Sequence, residues 1–195
     1  MAFVDQPLQT LAELIETQGY SCQYIAGNEV FPIDLLVVVL GRDLNEPVFL
    51  EITNPLDFVP DIDLAPTAEG DQAEPALPVL QFLIRYKLSF LSERTAELAL
   101  FMMEINRSLP LGAFGLCPET GMISLHYNLV SDSEKYNDEV ISYILDNLDL
   151  FITLITPRLQ AVVQGQENIA AALKVLSDQR YVIAPMPESP FQVNL

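Results

Sequence analysis

The stretch Ile33 to Leu40, IDLLVVVL, decides how this chain is read. From Leu35 onward every residue in it is Leu or Val, a composition that suits a strand. Side chains alternate along a strand, so Leu35, Val37 and Val39 share one face and Leu36, Val38 and Leu40 the other. An antiparallel strand with one wet face shows polar residues at every second place. From Leu35 to Leu40 this strand has none, and it needs cover on both sides.

The surroundings extend that strand into a sheet. Gly27-Asn28 is a turn signal, and Tyr20 to Ala26 before it reads as a strand. Asp43 to Glu46 turns the chain again, and Pro47 to Thr53 reads as a third strand, giving a meander. Upstream, Pro7 suits a first helical turn, Leu8, Leu11, Ala12 and Ile15 recur at helical spacing, and Gly19 stops the pattern.

The segment 54–78 carries Pro55, Pro60, Pro66, Pro75 and Pro78, six acidic residues and no Lys or Arg. It is expected to be an acidic, proline-rich insertion. Val79 to Ile105 is expected to be one long helix, with Val79, Phe82, Leu83, Tyr86 and Phe90 as a stripe that Leu98, Met102 and Ile105 extend. Leu111 to Cys117 and Met122 to Val130 read as a hairpin joined by Pro118 to Gly121. Ser131 and Glu134 stand at capping-box spacing before an apolar helix from Val140 to Ile155, which Pro157 is expected to kink or break. Glu167 to Leu176 can form a further short helix, and Pro185 to Leu195 an extended tail.

The fold class is therefore α+β. About five antiparallel strands carry helices on one face in the order α-β-β-β-α-β-β-α, with a C-terminal helical extension. Residues 1–165 are expected to form a single domain and 166–195 a helix and tail.

Half of the 195 residues are hydrophobic, enough to build a core, so wholesale disorder is excluded. The formal charge is −18, from 27 acidic and 9 basic residues. Such a surface repels phosphate backbones and anionic lipid, which argues against nucleic acid or membrane as a partner. No basic and apolar leader opens the sequence, and its longest apolar run, Leu35 to Leu40, is too short to cross a bilayer. The expected setting is the cytoplasm.

Residues that could carry chemistry are few. His126 is the one histidine, so no zinc site can be built on histidines. Cys22 and Cys117 lack metal-ligand spacing and a neighbouring base. Asp57, Asp61 and Asp63 could gather a hard cation, but without the glycine and ligand spacing of a calcium loop. Asp146 and Asp149 share a helix face and read as a wet surface. No phosphate-binding glycine loop and no nucleophile elbow is present. The expectation is no catalytic residue, no cofactor and no metal. What stands out is surplus apolar surface, with Leu36, Val38, Leu40, Phe114 and Leu116 as the expected partner or dimer surface. A homodimer is the commonest way to cover such a face.

One segment carries a resemblance. Ile105-Asn106 ends the long helical pattern. Gly112-Ala113-Phe114-Gly115-Leu116 follows, then Pro118-Glu119-Thr120-Gly121, then Ile123-Ser124-Leu125. With the order of elements over Leu8 to Val163, this resembles the class I type III secretion chaperones and the YbjN-like family that shares their fold. The resemblance implies a small, acidic, dimeric protein. The chaperones among its relatives hold an extended, unfolded segment of an effector in apolar grooves, without ATP. The YbjN-like members are regarded as sensory transduction regulators. The insertion 54–78 and the chain beyond Gly165 depart from the family pattern. The reading is a non-catalytic domain that binds a protein partner or an extended peptide through apolar surface. The alternatives are a YbjN-like regulatory domain without a peptide groove and, more distantly, a cation-dependent enzyme.

Overall fold

A computed structural model describes residues 7–54, 79–86, 88, 90, 92–131 and 136–178. The insertion beyond Asn54 and the tail from Pro185 lie outside them, as do Asp57, Asp61 and Asp63.

The chain opens with helix α1 (Pro7–Thr17), whose Leu8, Leu11, Ala12 and Ile15 are buried. Gly19 follows with φ +86°, a left-handed backbone in which glycine carries no steric cost. Strands β1 (Cys22–Ile25), β2 (Leu35–Leu40) and β3 (Val48–Thr53) then form the expected meander.

Next comes a difference from the sequence reading. Val79–Tyr86 is a strand, β4, not the start of a long helix. Its stripe of apolar residues is equally compatible with alternation, since short apolar runs fit both periods. The partners decide: β4 pairs antiparallel with β3 on one side and with β6 (Met122–Val130) on the other. It is thus an interior strand, with Leu80, Phe82, Ile84 and Tyr86 buried on its inner side. The helix proper, α2, runs only from Thr95 to Asn106 and buries Leu98, Phe101, Met102 and Ile105.

Strand β5 (Ala113–Cys117) and β6 form the expected hairpin. Helix α3 (Asp138–Val163) is capped by Asn137 rather than Ser131: its side chain accepts from the N–H of Glu139 at 2.9 Å and of Val140 at 3.2 Å. Pro157 does not break α3. An interior proline costs about 3 kcal/mol. Ile155, Thr156 and Leu159, all buried around it, hold the helix to the core. The guanidinium of Arg94 donates to the carbonyls of Val162 at 2.6 Å and Val163 at 3.0 Å, satisfying the helix's last turn. Helix α3 is long and apolar enough to cross a membrane, but eleven of its residues are buried inside this fold. Helix α4 (Ile169–Asp178) follows, with the Asn168 side chain accepting from Ala171 N–H at 2.8 Å.

The architecture is α+β, with one six-stranded antiparallel sheet in the order β1-β2-β3-β4-β6-β5 and four helices among the described residues. The buried cluster joins α1, α2, α3 and α4 to one side of that sheet. The turn after β2 is tied to α3 as well. Gly41, at φ +65°, donates its N–H to Asp149 Oδ1 at 2.6 Å, and a Cβ there would meet Leu44 Cδ1 at 2.6 Å.

Candidate protein-docking face

Register settles which side of β2 is which. Val38 pairs with Leu50 and Cys22, and Leu36 with Ile52 and Tyr24. Leu36, Val38, Leu40, Leu50 and Ile52 are completely buried beneath the helices. Their neighbours in sequence point the other way. Val37 pairs with Glu51, Glu51 with Leu83, Leu83 with His126, and His126 with Ala113, drawing one row across the opposite face.

That opposite face has no helix on it among the described residues. Its β1–β4 part carries Ile25, Leu35, Val37, Val39, Phe49 and Leu83, with Gln23, Glu51, Thr53, Gln81 and Arg85 among them. Phe49 is 52% exposed and Ile25 39%. The β5–β6 part is mostly small or polar, with Ala113, Gly115, Ser124, His126 and Asn128, while Cys117, Met122 and Val130 lie toward the strand ends. One sheet surface therefore divides into a mainly aliphatic half and a mainly hydrophilic half.

On the aliphatic half lies a groove of about 190 Å³, lined by Phe31, Leu35, Glu51, Thr53, Gln81, Leu83 and Arg85. The Arg85 guanidinium and the Glu51 carboxylate form an ion pair on it. Thr53 is buried there although it faces outward. The volume suits one or two apolar side chains rather than a cofactor, since ligand pockets run to roughly 300 Å³ and more.

The loop between β1 and β2 borders this groove and is held by its own side chains. Asn28 Oδ1 accepts from Val30 N–H at 2.9 Å and Phe31 N–H at 3.0 Å. The Asp34 carboxylate accepts from the Tyr24 hydroxyl at 2.7 Å and from Gly27 N–H at 2.9 Å. The Tyr24 bond to Asp34, more than burial, pushes that hydroxyl up to about 12. A Cβ at Gly27 would lie 2.8 Å from Ile33 N, so the loop closes only with glycine. The result is a fixed turn that holds Val30 out at 94% exposure, with Phe31 beside it at 44%.

The five residues expected to form the partner surface sit elsewhere. Leu36, Val38, Leu40 and Phe114 are core residues, and Leu116 is half-buried against the same core. The outward surface belongs to their alternates. Both faces of β2 are apolar, so alternation within it could not choose between them. β3 did carry a signal: Glu51 marks its wet side, and with Phe49 and Thr53 it maps onto Val37 and Val39 once the register is known.

Residues with chemical potential are dispersed. His126 is exposed on the hydrophilic half, next to Leu83 and Ala113. The Cys22 thiol donates to the Ala12 carbonyl at 3.5 Å, and burial pushes it up, away from thiolate. The Cys117 thiol donates to Glu119 Oε2 at 3.2 Å. Asp146 accepts from the Tyr20 hydroxyl at 2.8 Å while Asp149 holds Gly41, so the two carboxylates fasten α3 to the segment before β1 and to the turn after β2. Burial and then that bond push the Tyr20 hydroxyl far above the tyrosine range, and Arg42 lies 5.7 Å over its ring. Among the described residues no three His, Cys, Asp or Glu side chains gather as a metal site would need.

No known protein family, curated protein or solved structure matches this chain.

Proposed function

We propose that this protein is a non-catalytic protein-binding domain whose open sheet face holds an apolar, basic segment of a partner in the cytoplasm. The observation that carries this is the row of outward aliphatic residues, Ile25, Leu35, Val37, Val39 and Leu83, with Phe49 and Phe31, on a face without helices among the described residues. Contiguous exposed apolar surface is unusual on a monomer and marks an interaction site. The groove beside Leu35 and Leu83 gives an anchor side chain a place. The charge of −18 favours a basic segment and disfavours nucleic acid or anionic lipid. The resemblance of the segment Ile105 to Leu125 to the secretion chaperones points the same way, since those proteins hold extended segments without ATP, although β4 adds a strand to the element order on which it was also drawn. No cofactor enters this reading.

A homodimer through the same face is the second reading. The Glu51–Arg85 pair favours it: both charges lie on the face and can exchange partners across a two-fold axis. A YbjN-like regulatory domain with no peptide groove is the remaining alternative.

The test uses a synthetic peptide with Leu or Val at alternate positions and Lys between them, titrated calorimetrically into the protein. Saturable binding that Val37→Asp with Leu83→Asp abolishes supports the reading. Equal binding by that variant, or by the peptide with Glu in place of Lys, contradicts it. Light scattering over a concentration series decides the second reading: a constant two-chain mass that Val37→Asp reduces to one chain supports the dimer.

A further inference from the structure

A sheet has edges as well as faces, and β5 is one of the two edge strands among the described residues. An edge strand offers unpaired N–H and C=O groups to any other strand, including the same strand of a second molecule. Charged side chains, prolines and bulges are the usual protections. The five residues of β5, AFGLC, include neither a charge nor a proline.

In an antiparallel ladder, alternate residues turn both backbone groups toward the neighbour, and those between turn them outward. Phe114 is an outward residue of β5, and both of its backbone groups are engaged by one side chain. Asn106, the last residue of α2, accepts from Phe114 N–H through Oδ1 at 2.7 Å. Its Nδ2 donates to the Phe114 carbonyl at 3.0 Å. A planar carboxamide with donor and acceptor side by side reproduces the pair of bonds that a strand residue would make. It does so from a helix packed against β5, which holds it in place.

We propose that the Asn106 carboxamide guards the β5 edge and prevents it from pairing with β5 of a second copy of this chain. Strand addition at β5 needs the outward-turned backbone groups of the strand, among them both groups of Phe114, its second residue. With Asn106 in place, an incoming strand must displace two hydrogen bonds to gain two. Only a side chain with both a donor and an acceptor serves. Asp offers two acceptors and repels the carbonyl, while Ala leaves both backbone groups free.

The experiment is sedimentation velocity over a concentration series, with circular dichroism as the folding control. Asn106→Ala is expected to associate as concentration rises, reaching at least about twofold the wild-type mass. Adding Ala113→Lys, on the outward face of the same edge, is expected to return the wild-type mass, because two copies then bring like charges together. A folded Asn106→Ala with the wild-type mass at every concentration overturns the proposal, as does association that Ala113→Lys leaves unchanged. Amide exchange on the wild-type protein tests the guard independently of any variant. Phe114 N–H is expected to be protected to the level of the interior strand β4, and exchange at the rate of an open edge overturns the proposal.

Discussion

The two faces of strand β2 are built from the same residue types and are buried to different extents. On the inner face, Leu36, Val38 and Leu40 of β2 meet Leu50 and Ile52 of β3 and are completely buried under the helices. On the outer face, Leu35, Val37 and Val39 of the same strand stay half-buried beside an exposed Phe49. Hydrophobicity alone does not distinguish them, since six consecutive residues of β2 are Leu or Val. What separates them is position relative to the helices. The lesson is that an apolar residue on this sheet counts as core or as surface according to register.

The strongest way to break that comparison is a charge on each side in turn. Val38→Asp puts a carboxylate where nothing can pair with it, and is expected to cost more than about 4 kcal/mol, enough to unfold a marginal domain. Val37→Asp, one residue away, is expected to cost no more than about 1 kcal/mol, because its side chain reaches water. Urea denaturation followed by circular dichroism measures both. Equal losses would mean that the outer face is as covered as the inner one.

A second contrast sets the buried Tyr86 against the half-exposed Tyr24. Tyr86 lies on the inner face with its hydroxyl 3.3 Å from the Thr156 hydroxyl, and burial pushes it up to about 12. Its folded value lies above the unfolded one, near 10, so its contribution is complete below about pH 10 and is lost as pH rises toward 12. At about 1.4 kcal/mol per unit, the loss approaches roughly 3 kcal/mol. The stability of Tyr86→Phe is therefore expected to fall less steeply across that window. Parallel curves for the two proteins would show that Tyr86 does not titrate against burial.

The outer face depends on its loop as well as on its strands. Asp34→Ala removes the acceptor for Tyr24 and for Gly27 N–H. It is expected to cost about 1 kcal/mol and to speed amide exchange at Gly27 and through the turn that carries Val30 and Phe31. Unchanged exchange there would mean that Asn28 alone fixes the turn.

Much of this was legible in the sequence, and the failures have physical causes. The α1 stripe, the meander and the β5–β6 hairpin follow from spacing and turn residues, because local pattern and final structure agree there. Val79 to Tyr86 was misread as helix because its apolar residues satisfy periods of both two and nearly four, and only pairing with β3 and β6 chooses. Pro157 does not break α3, because the burial of Ile155, Thr156 and Leu159 around it outweighs one lost hydrogen bond. The open face was half legible. That a face should stand open followed from the apolar strand, but the choice of Leu36, Val38 and Leu40 over Leu35, Val37 and Val39 required the helices. The Asn106 contact could not be read at all, since it joins the end of a helix to a strand eight residues on.

The most direct test of the open face as the docking surface is chemical-shift mapping. Protein labelled with nitrogen-15 is titrated with the alternating Leu/Val–Lys peptide and the amide shifts are followed. The expected result is a saturable change concentrated at Ile25, Leu35, Val37, Val39, Phe49 and Leu83, with α1 and α3 undisturbed. Shifts confined to the helices, or to the β5–β6 half of the sheet, would contradict it.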